Sequence, residues 1–111
     1  MKESTRSPAF GGISILCIDN HIDSLEMLRV TLQLEGARVL TAASSREALF
    51  ALKQSPVDVV LCDLRMPDEN GVEALHKLRA AGFEGPAIAL TAIKNSNVES
   101  EVLKQRRKGQ S

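Results

Sequence analysis

The chain has 111 residues, which predicts a single domain, because domains cluster at roughly 100–150 residues. Its 14 Lys and Arg residues balance its 14 Asp and Glu residues, which argues against a wholly basic nucleic-acid binder and against an acidic disordered chain. No apolar run approaches the roughly 18 residues that span a bilayer, and the first residues form no secretory signal, so we expect a cytoplasmic globular protein that binds neither membrane nor nucleic acid.

Four short apolar runs predict strands, and the segments between and after them predict helices. Strands are expected at 13–18, 38–42, 57–62 and 86–91. The runs at 13–18 and 57–62 give the strongest signals, because apolar runs of this kind are typical of strands that are buried on both faces of a parallel sheet. Helices are expected over 22–35, from Ser44, from Val72 to near Gly82, and from Ser96. Ser44 and Glu47, like Ser96 and Glu99, have the spacing of a capping box.

The apolar positions also predict which face of each helix packs against the sheet. In the first helix this face consists of Ile22, Leu25, Leu28 and Leu32, and it is widened by Met27, Val30 and Leu34. In the third helix it consists of Val72, Leu75 and Leu78, which leaves His76 on the surface. Strands that alternate with helices imply a parallel sheet with helices on both faces, joined by right-handed crossovers.

The two ends of the chain differ in composition from its centre. Residues 1–12 are polar and include a Gly11–Gly12 pair, so we expect a flexible leader. Residues 13–93 carry the strand and helix patterns and are expected to form the domain. Residues 94–111 are polar, contain a basic cluster, and are expected to form a divergent segment that is partly helical.

Polar side chains stand at the carboxyl ends of three predicted strands. Asp19 and Asn20 follow the first strand, Asp63 follows the third, and Thr91 ends the fourth. Because ligands of open parallel sheets bind beyond these strand ends, the side chains should converge there. Mg²⁺ takes one or two carboxylates from a protein and would offset the repulsion between two close acids. The pattern predicts a Mg²⁺-assisted phosphoryl-transfer site with an Asp nucleophile, and solvated acids at strand ends are the alternative.

Three segments, ILCIDN (15–20), VVLCDLRMPDENG (59–71) and AIALTA (87–92), resemble the receiver domain of bacterial two-component response regulators. The most specific part is the pattern D-x-x-M-P-x-x-x-G, which begins at Asp63. The resemblance covers residues 13 to about 93 and extends to the receivers attached to hybrid histidine kinases. It implies a flavodoxin-like α/β fold with three αβα layers and a parallel sheet of strand order 2-1-3-4.

The resemblance also implies a role for each matching residue. Asp63 matches the phosphoacceptor aspartate, and Thr91 matches the hydroxyl residue that moves to the phosphoryl oxygens. Asp19 matches the first residue of the acidic pair, which reaches Mg²⁺ through water, and Asn20 stands where the family has a second acid that ligates Mg²⁺ directly. The backbone carbonyl of Arg65 matches a further Mg²⁺ ligand. The implied partner is a histidine kinase or a phosphotransfer protein.

This sequence departs from the family pattern in two places. Asn20 can offer an amide oxygen but no charge, so we expect weaker Mg²⁺ binding than in the family. The family also has a fifth strand with a Lys-Pro pair and a last helix, whereas residues 92–111 contain no Lys-Pro pair and no apolar run. We therefore expect that strand and helix to be missing, and the open edge of the fourth strand to allow a homodimer.

The function that follows is a phosphoacceptor domain that signals by protein contact after phosphorylation of Asp63. It would not be an enzyme beyond its own phosphorylation and dephosphorylation. The alternative is a protein-binding module, or a truncated fragment, that has lost the response to phosphorylation. A flavin-binding relative would need a Ser/Thr-rich loop after the first strand, and a related phosphatase would need Asp where Arg65 stands. His21 could line the site, and Cys17 and Cys62 are expected to be reduced and buried.

Overall fold

A computed structural model describes residues 10–64, 66 and 70–90, in which strands and helices alternate as predicted. The elements are β1 (Ser14–Ile18), α1 (Ile22–Leu34), β2 (Arg38–Ala42), α2 (Ser45–Gln54), β3 (Val59–Cys62), α3 (Gly71–Ala80) and β4 (Ala87–Ala89). Each described strand lies within the apolar run that predicted it. The predicted helix from Ser96, the segment 94–111 and the question of a fifth strand lie outside the described residues.

The four strands form one parallel sheet in the order β2-β1-β3-β4, which confirms the expected flavodoxin-like topology. β1 lies between β2 and β3, and Ile18 is in register with both Ala42 and Cys62. β1, β2 and β3 therefore end at the same level. Because the strands are parallel, their carboxyl ends share one edge of the sheet.

The sheet is covered on both faces, so successive residues of β1 point into two different cores. One core joins the sheet to α1 and includes Ile15, Cys17, Leu25 and Leu32. The other joins the sheet to α2 and α3 and includes Leu16, Ile18, Ala48 and Leu78. All five residues of β1 are buried, which is why this strand is a continuous apolar run rather than an alternating one. The result is the predicted three-layer arrangement.

α1 packs by a narrower face than its sequence predicts. Leu25 and Leu32 are buried, and Leu28 packs against the same core. Ile22 is 70% exposed, so its prediction as a core residue is wrong. The three residues that widen the predicted face are exposed as well: Met27, Val30 and Leu34. Ile22 is the first residue of the helix, and it lies beyond the edge of the sheet where Ile18 ends β1.

α3 also presents a different face to the core. Gly71, Ala74 and Leu78 are buried, whereas Val72 is 53% exposed, so the prediction for Val72 is wrong. The small residues Gly71 and Ala74 bring the start of the helix close to the backbone that follows β3, which turns Val72 outwards. His76 is exposed, as expected.

Side-chain caps mark the start of α2 and of α3. Ser44 Oγ accepts a hydrogen bond from the backbone N–H of Glu47 at 3.2 Å, as predicted. Glu47 Oε1 accepts from the N–H of Ala43 rather than from that of Ser44, so the predicted capping box is only half formed. A complete capping box opens α3, where Asn70 Oδ1 accepts from Glu73 N–H at 2.9 Å and Glu73 Oε1 accepts from Asn70 N–H at 3.3 Å.

Phe10 lies in the segment that the sequence predicts to be a leader, yet it belongs to the core. Its side chain is 1% exposed, and its backbone N–H donates to Glu35 O at 2.8 Å. The core that involves α1 therefore includes a residue that precedes β1. Residues 1–9 lie outside the described part of the chain. Within that part, none of the helices has both the length and the apolar character needed to cross a membrane.

Candidate functional site

Asp19 and Asp63 lie next to each other at the carboxyl edge of the sheet. They directly follow Ile18 and Cys62, which are register partners in the neighbouring strands β1 and β3. The backbone N–H of Asp63 donates to Ile18 O at 2.8 Å, and that of Asp19 donates to Ala42 O at 3.0 Å. These bonds continue the sheet pairing by one residue, so the backbone of both acids is part of the hydrogen-bond ladder.

The side chain of Asp19 is oriented by the residue that caps α1. Asp19 is 5% exposed, and its Oδ1 accepts a hydrogen bond from the backbone N–H of His21 at 3.0 Å. The same oxygen is hydrogen-bonded to His21 Nδ1, also at 3.0 Å. His21 itself is about two-thirds exposed, with 67% of its side-chain surface accessible. A buried carboxylate thus meets an exposed imidazole at the rim of the sheet.

The side chains at this edge fit a divalent cation. Asp19, His21 and Asp63 each offer one ligand atom, and these atoms all lie within 4.8 Å of one another. Asn20 Oδ1 is buried and has no hydrogen-bond partner among the described residues. A buried oxygen without a partner is costly, and a cation would supply the missing interaction. Carboxylate and amide oxygens are also the ligand types that Mg²⁺ accepts.

The structure brings together only some of the residues that the sequence singles out. Asp19 and Asp63 meet as expected, with Asn20 beside them, and His21 lines the same site. Arg65 and Thr91 lie outside the described residues. The direct contact between His21 and Asp19 was not predicted, because it depends on the side-chain geometry of the turn between β1 and α1.

Gly71 allows the start of α3 to pack against the backbone of the phosphoacceptor candidate. A Cβ atom at Gly71 would lie 2.7 Å from Asp63 O and 2.9 Å from Leu64 Cα. The N–H of Gly71 also donates to Leu64 O at 3.2 Å. The close approach of the two backbones explains why glycine is needed at this position.

The two cysteines flank the site from opposite faces of the sheet. Cys17 lies in the core under α1, and Cys62 lies in the core under α2 and α3, so the two do not face each other. Burial, and secondarily the negative charge of Asp19, raises the pKa of Cys17 to about 12. This thiol therefore stays protonated at neutral pH, as expected for an inert core residue.

Comparison with known proteins identifies a family for most of the chain. The family model of the response regulator receiver domain matches residues 15–109. The transcriptional regulatory protein KdpE of Mycobacterium tuberculosis is 36% identical over 89 residues, which are 80% of this chain and 39% of KdpE. The transcriptional regulatory protein ZraR of Escherichia coli is 33% identical over 92 residues, 83% of this chain and 21% of ZraR. The chain thus spans well under half of these two relatives.

Solved structures agree with this assignment. The response regulator TrrA of Thermotoga maritima, in complex with Mg²⁺ and BeF, superposes with a TM-score of 0.63 at 27% identity, over 80% of this chain and 79% of that one. A chain in the complex of histidine kinase ThkA with TrrA superposes with a TM-score of 0.62 at 30% identity, over 69% of this chain and 66% of that one. The sheet order, the paired aspartates and these matches lead to one conclusion: the chain belongs to the receiver domains of response regulators, which act in two-component signalling.

Proposed function

We propose that Asp63 is the residue on which this receiver is phosphorylated, and that the donor is a histidine kinase or a phosphotransfer protein. The observation that carries the proposal is the position of Asp63, which is half-buried at the carboxyl edge of the sheet with its carboxylate beside that of Asp19. The complex of ThkA with TrrA supports a kinase as the partner, since TrrA resembles this chain.

A divalent cation at this edge would be held by Asp63, by the amide oxygen of Asn20, by the backbone carbonyl of Arg65 and, through water, by Asp19. The resemblance names Mg²⁺, which would neutralise charge on the incoming phosphoryl group. Asn20 contributes no charge, so we expect Mg²⁺ to bind more weakly than at a site with a second acid. Its buried, unpartnered oxygen nevertheless makes Asn20 suited to be a ligand.

In the transfer step a carboxylate oxygen of Asp63 forms a bond to phosphorus. The bond between phosphorus and the donor nitrogen breaks, and its electron pair stays on that nitrogen. His21 and the sheet hold Asp19 in place, which keeps the charge at the edge fixed during the transfer. Thr91 would donate a hydrogen bond from its hydroxyl to the phosphoryl oxygens of the acyl phosphate.

The protein would act as a signalling domain rather than a self-contained enzyme, beyond gaining and losing its own phosphoryl group. We propose a cytoplasmic location, which the two free cysteines in the core favour because reducing compartments keep thiols unpaired. Output would be by protein contact, with no nucleic acid or membrane bound by this domain. The edge of β4 would pair two copies of the chain.

Acetyl phosphate tests the assignment of Asp63 without knowledge of the kinase. We expect the protein with Mg²⁺ to gain one phosphoryl group by intact mass, and the Asp63→Asn variant to gain none. Asp58→Asn is the matched control, because Asp58 lies just before the other end of β3, where its Oδ2 accepts from Ser14 N–H. A phosphoryl group that survives in Asp63→Asn would show that another residue is the acceptor.

A further inference from the structure

His21 and Asp19 are placed like two adjacent ligands of one metal ion. Their contact atoms, Nδ1 and Oδ1, are 3.0 Å apart. Two ligands at about 2.1 Å from a metal and at a right angle to each other lie about 3.0 Å apart, so this contact has the length of one edge of an octahedral site. A metal ion could take the place of the shared hydrogen once the imidazole ring turns towards it, because the ion lies to one side of the line between the two atoms.

Two further observations concern the remaining candidate ligands. Asp63 offers a carboxylate oxygen in a cluster whose ligand atoms all lie within 4.8 Å of one another. Two ligands at about 2.1 Å from one ion are at most about 4.2 Å apart, so a small rotation of the Asp63 side chain brings it within reach. Asn20 Oδ1 is buried and lacks a hydrogen-bond partner among the described residues, so it too is available as a ligand. The set is therefore two carboxylates, one amide oxygen and one imidazole nitrogen.

The chemistry of this set differs from that of a purely acidic site. Mg²⁺ favours charged oxygen ligands and gains little from imidazole, whereas first-row transition metals bind imidazole well. Asn20 removes a charge that would favour Mg²⁺, and His21 adds a nitrogen that favours transition metals. Both differences change the selectivity of the site in the same direction.

We propose that His21 is a metal ligand and that the edge formed by Asp19, His21 and Asp63 binds a first-row transition-metal dication more tightly than Mg²⁺. The inference rests on the proposed function in that it uses the same edge and the same Asp63. It goes further by naming the metal class and a ligand that the resemblance does not provide.

The exposure of the nitrogen and sulfur side chains supports a metal site at His21. His21 is 67% exposed, so its ring can meet an ion that arrives from solvent. Cys17 and Cys62 would attract soft metals, but both are buried in the core. The second histidine of the chain, His76, is exposed on α3 and is not part of the cluster. It therefore provides a matched control.

Calorimetric titration of the untagged full chain with Mg²⁺, Mn²⁺ and Ni²⁺ tests the proposal. We expect affinity to rise from Mg²⁺ to Mn²⁺ to Ni²⁺, with Ni²⁺ at least about tenfold tighter than Mn²⁺, because imidazole ligation increases in that order. His21→Ala should lower Ni²⁺ affinity by about tenfold or more, and Mg²⁺ affinity by much less, because His21 helps to hold Asp19 but does not ligate Mg²⁺. His76→Ala should leave all three affinities unchanged, and Asn20→Asp should move the preference back towards Mg²⁺.

Spin-echo spectroscopy of bound Mn²⁺ provides a direct second readout. We expect modulation from a coordinated nitrogen in the wild type and in His76→Ala, and its loss in His21→Ala. Equal affinities of the wild type for Mg²⁺ and Ni²⁺ would overturn the proposal. So would a preference for Ni²⁺ over Mg²⁺ that is as strong in His21→Ala as in the wild type. Phosphorylation by acetyl phosphate separates the two proposals. If Asp63 gains no phosphoryl group, the proposed function alone is contradicted. If Asp63 is phosphorylated but the site shows no preference for transition metals, this inference alone is contradicted.

Discussion

At the scale of single residues, Cys17 links the core to the charged edge of the sheet. It is fully buried in β1, and Asp19 lies only two residues further along the chain. Ionisation of this thiol would bury a charge and bring it near a second negative charge, and both effects raise its pKa. The residue thus acts as a small apolar side chain for as long as it stays protonated.

The stability of the protein at alkaline pH should depend on the burial of Cys17. The thiol has a pKa near 9.0 when solvated and about 12 in the fold, so above pH 9 the unfolded chain binds fewer protons than the folded one. The free energy of unfolding should therefore fall as pH rises through this window, by at most about 1.4 kcal/mol per pH unit from this group. Urea denaturation from about pH 8 to about pH 10.5 should show a steeper fall for the wild type than for Cys17→Ala. Equal slopes would contradict the burial of Cys17 as a neutral thiol.

The residues of the site differ in how far sequence could predict them. Asp19 and Asp63 could be placed together because each directly follows an apolar run, and the ends of neighbouring parallel strands share an edge. The contact of His21 with Asp19 could not, because two residues of a turn can adopt many side-chain arrangements. Asn20 was recognised as a departure, but only the structure reveals that its oxygen is buried without a partner among the described residues.

At the scale of elements, strands were easier to predict than helix faces. A strand that is buried on both sides is apolar at most of its positions, so β1 and β3 stand out in the sequence. The predicted face of α3 is wrong because small residues, not the large apolar Val72, point inwards at the start of the helix. Gly71 and Ala74 pack there instead, since the helix begins against the backbone of Asp63 and Leu64, and this leaves Val72 outside.

The capping box of α3 should contribute to stability and is open to test. Asn70→Ala removes the side-chain oxygen that accepts from Glu73 N–H, so we expect the free energy of unfolding to fall by about 1 kcal/mol. Asn70→Asp keeps an acceptor at the same place and should stay close to the wild type. Urea denaturation monitored by circular dichroism measures both. An Asn70→Ala variant as stable as the wild type would show that solvent replaces the cap without loss.

At the scale of the whole molecule, β4 is the described strand that ends the sheet on the side of β3. It pairs with β3 through alternate residues, because Val60 N–H donates to Pro86 O while Val60 is in register with Ala87. In a parallel ladder the N–H groups of Ala87 and Ala89 therefore point away from β3. Ile88 and Leu90, which alternate with these two alanines, are buried and apolar. The edge of β4 therefore has outward N–H groups in an apolar segment. Such an edge can pair with a second chain.

We therefore expect the protein to form dimers whose population rises with concentration from the micromolar to the millimolar range. Ala89→Pro removes one outward N–H without touching the bond from Val60 to Pro86, so it should shift the protein to monomer with the circular dichroism spectrum of the wild type. Ala89→Ser keeps the N–H and should still dimerise. Static light scattering measures the mass of all three proteins. A wild-type monomer across the whole range, or an Ala89→Pro variant that dimerises as well as Ala89→Ser, would show that the edge of β4 does not join two chains.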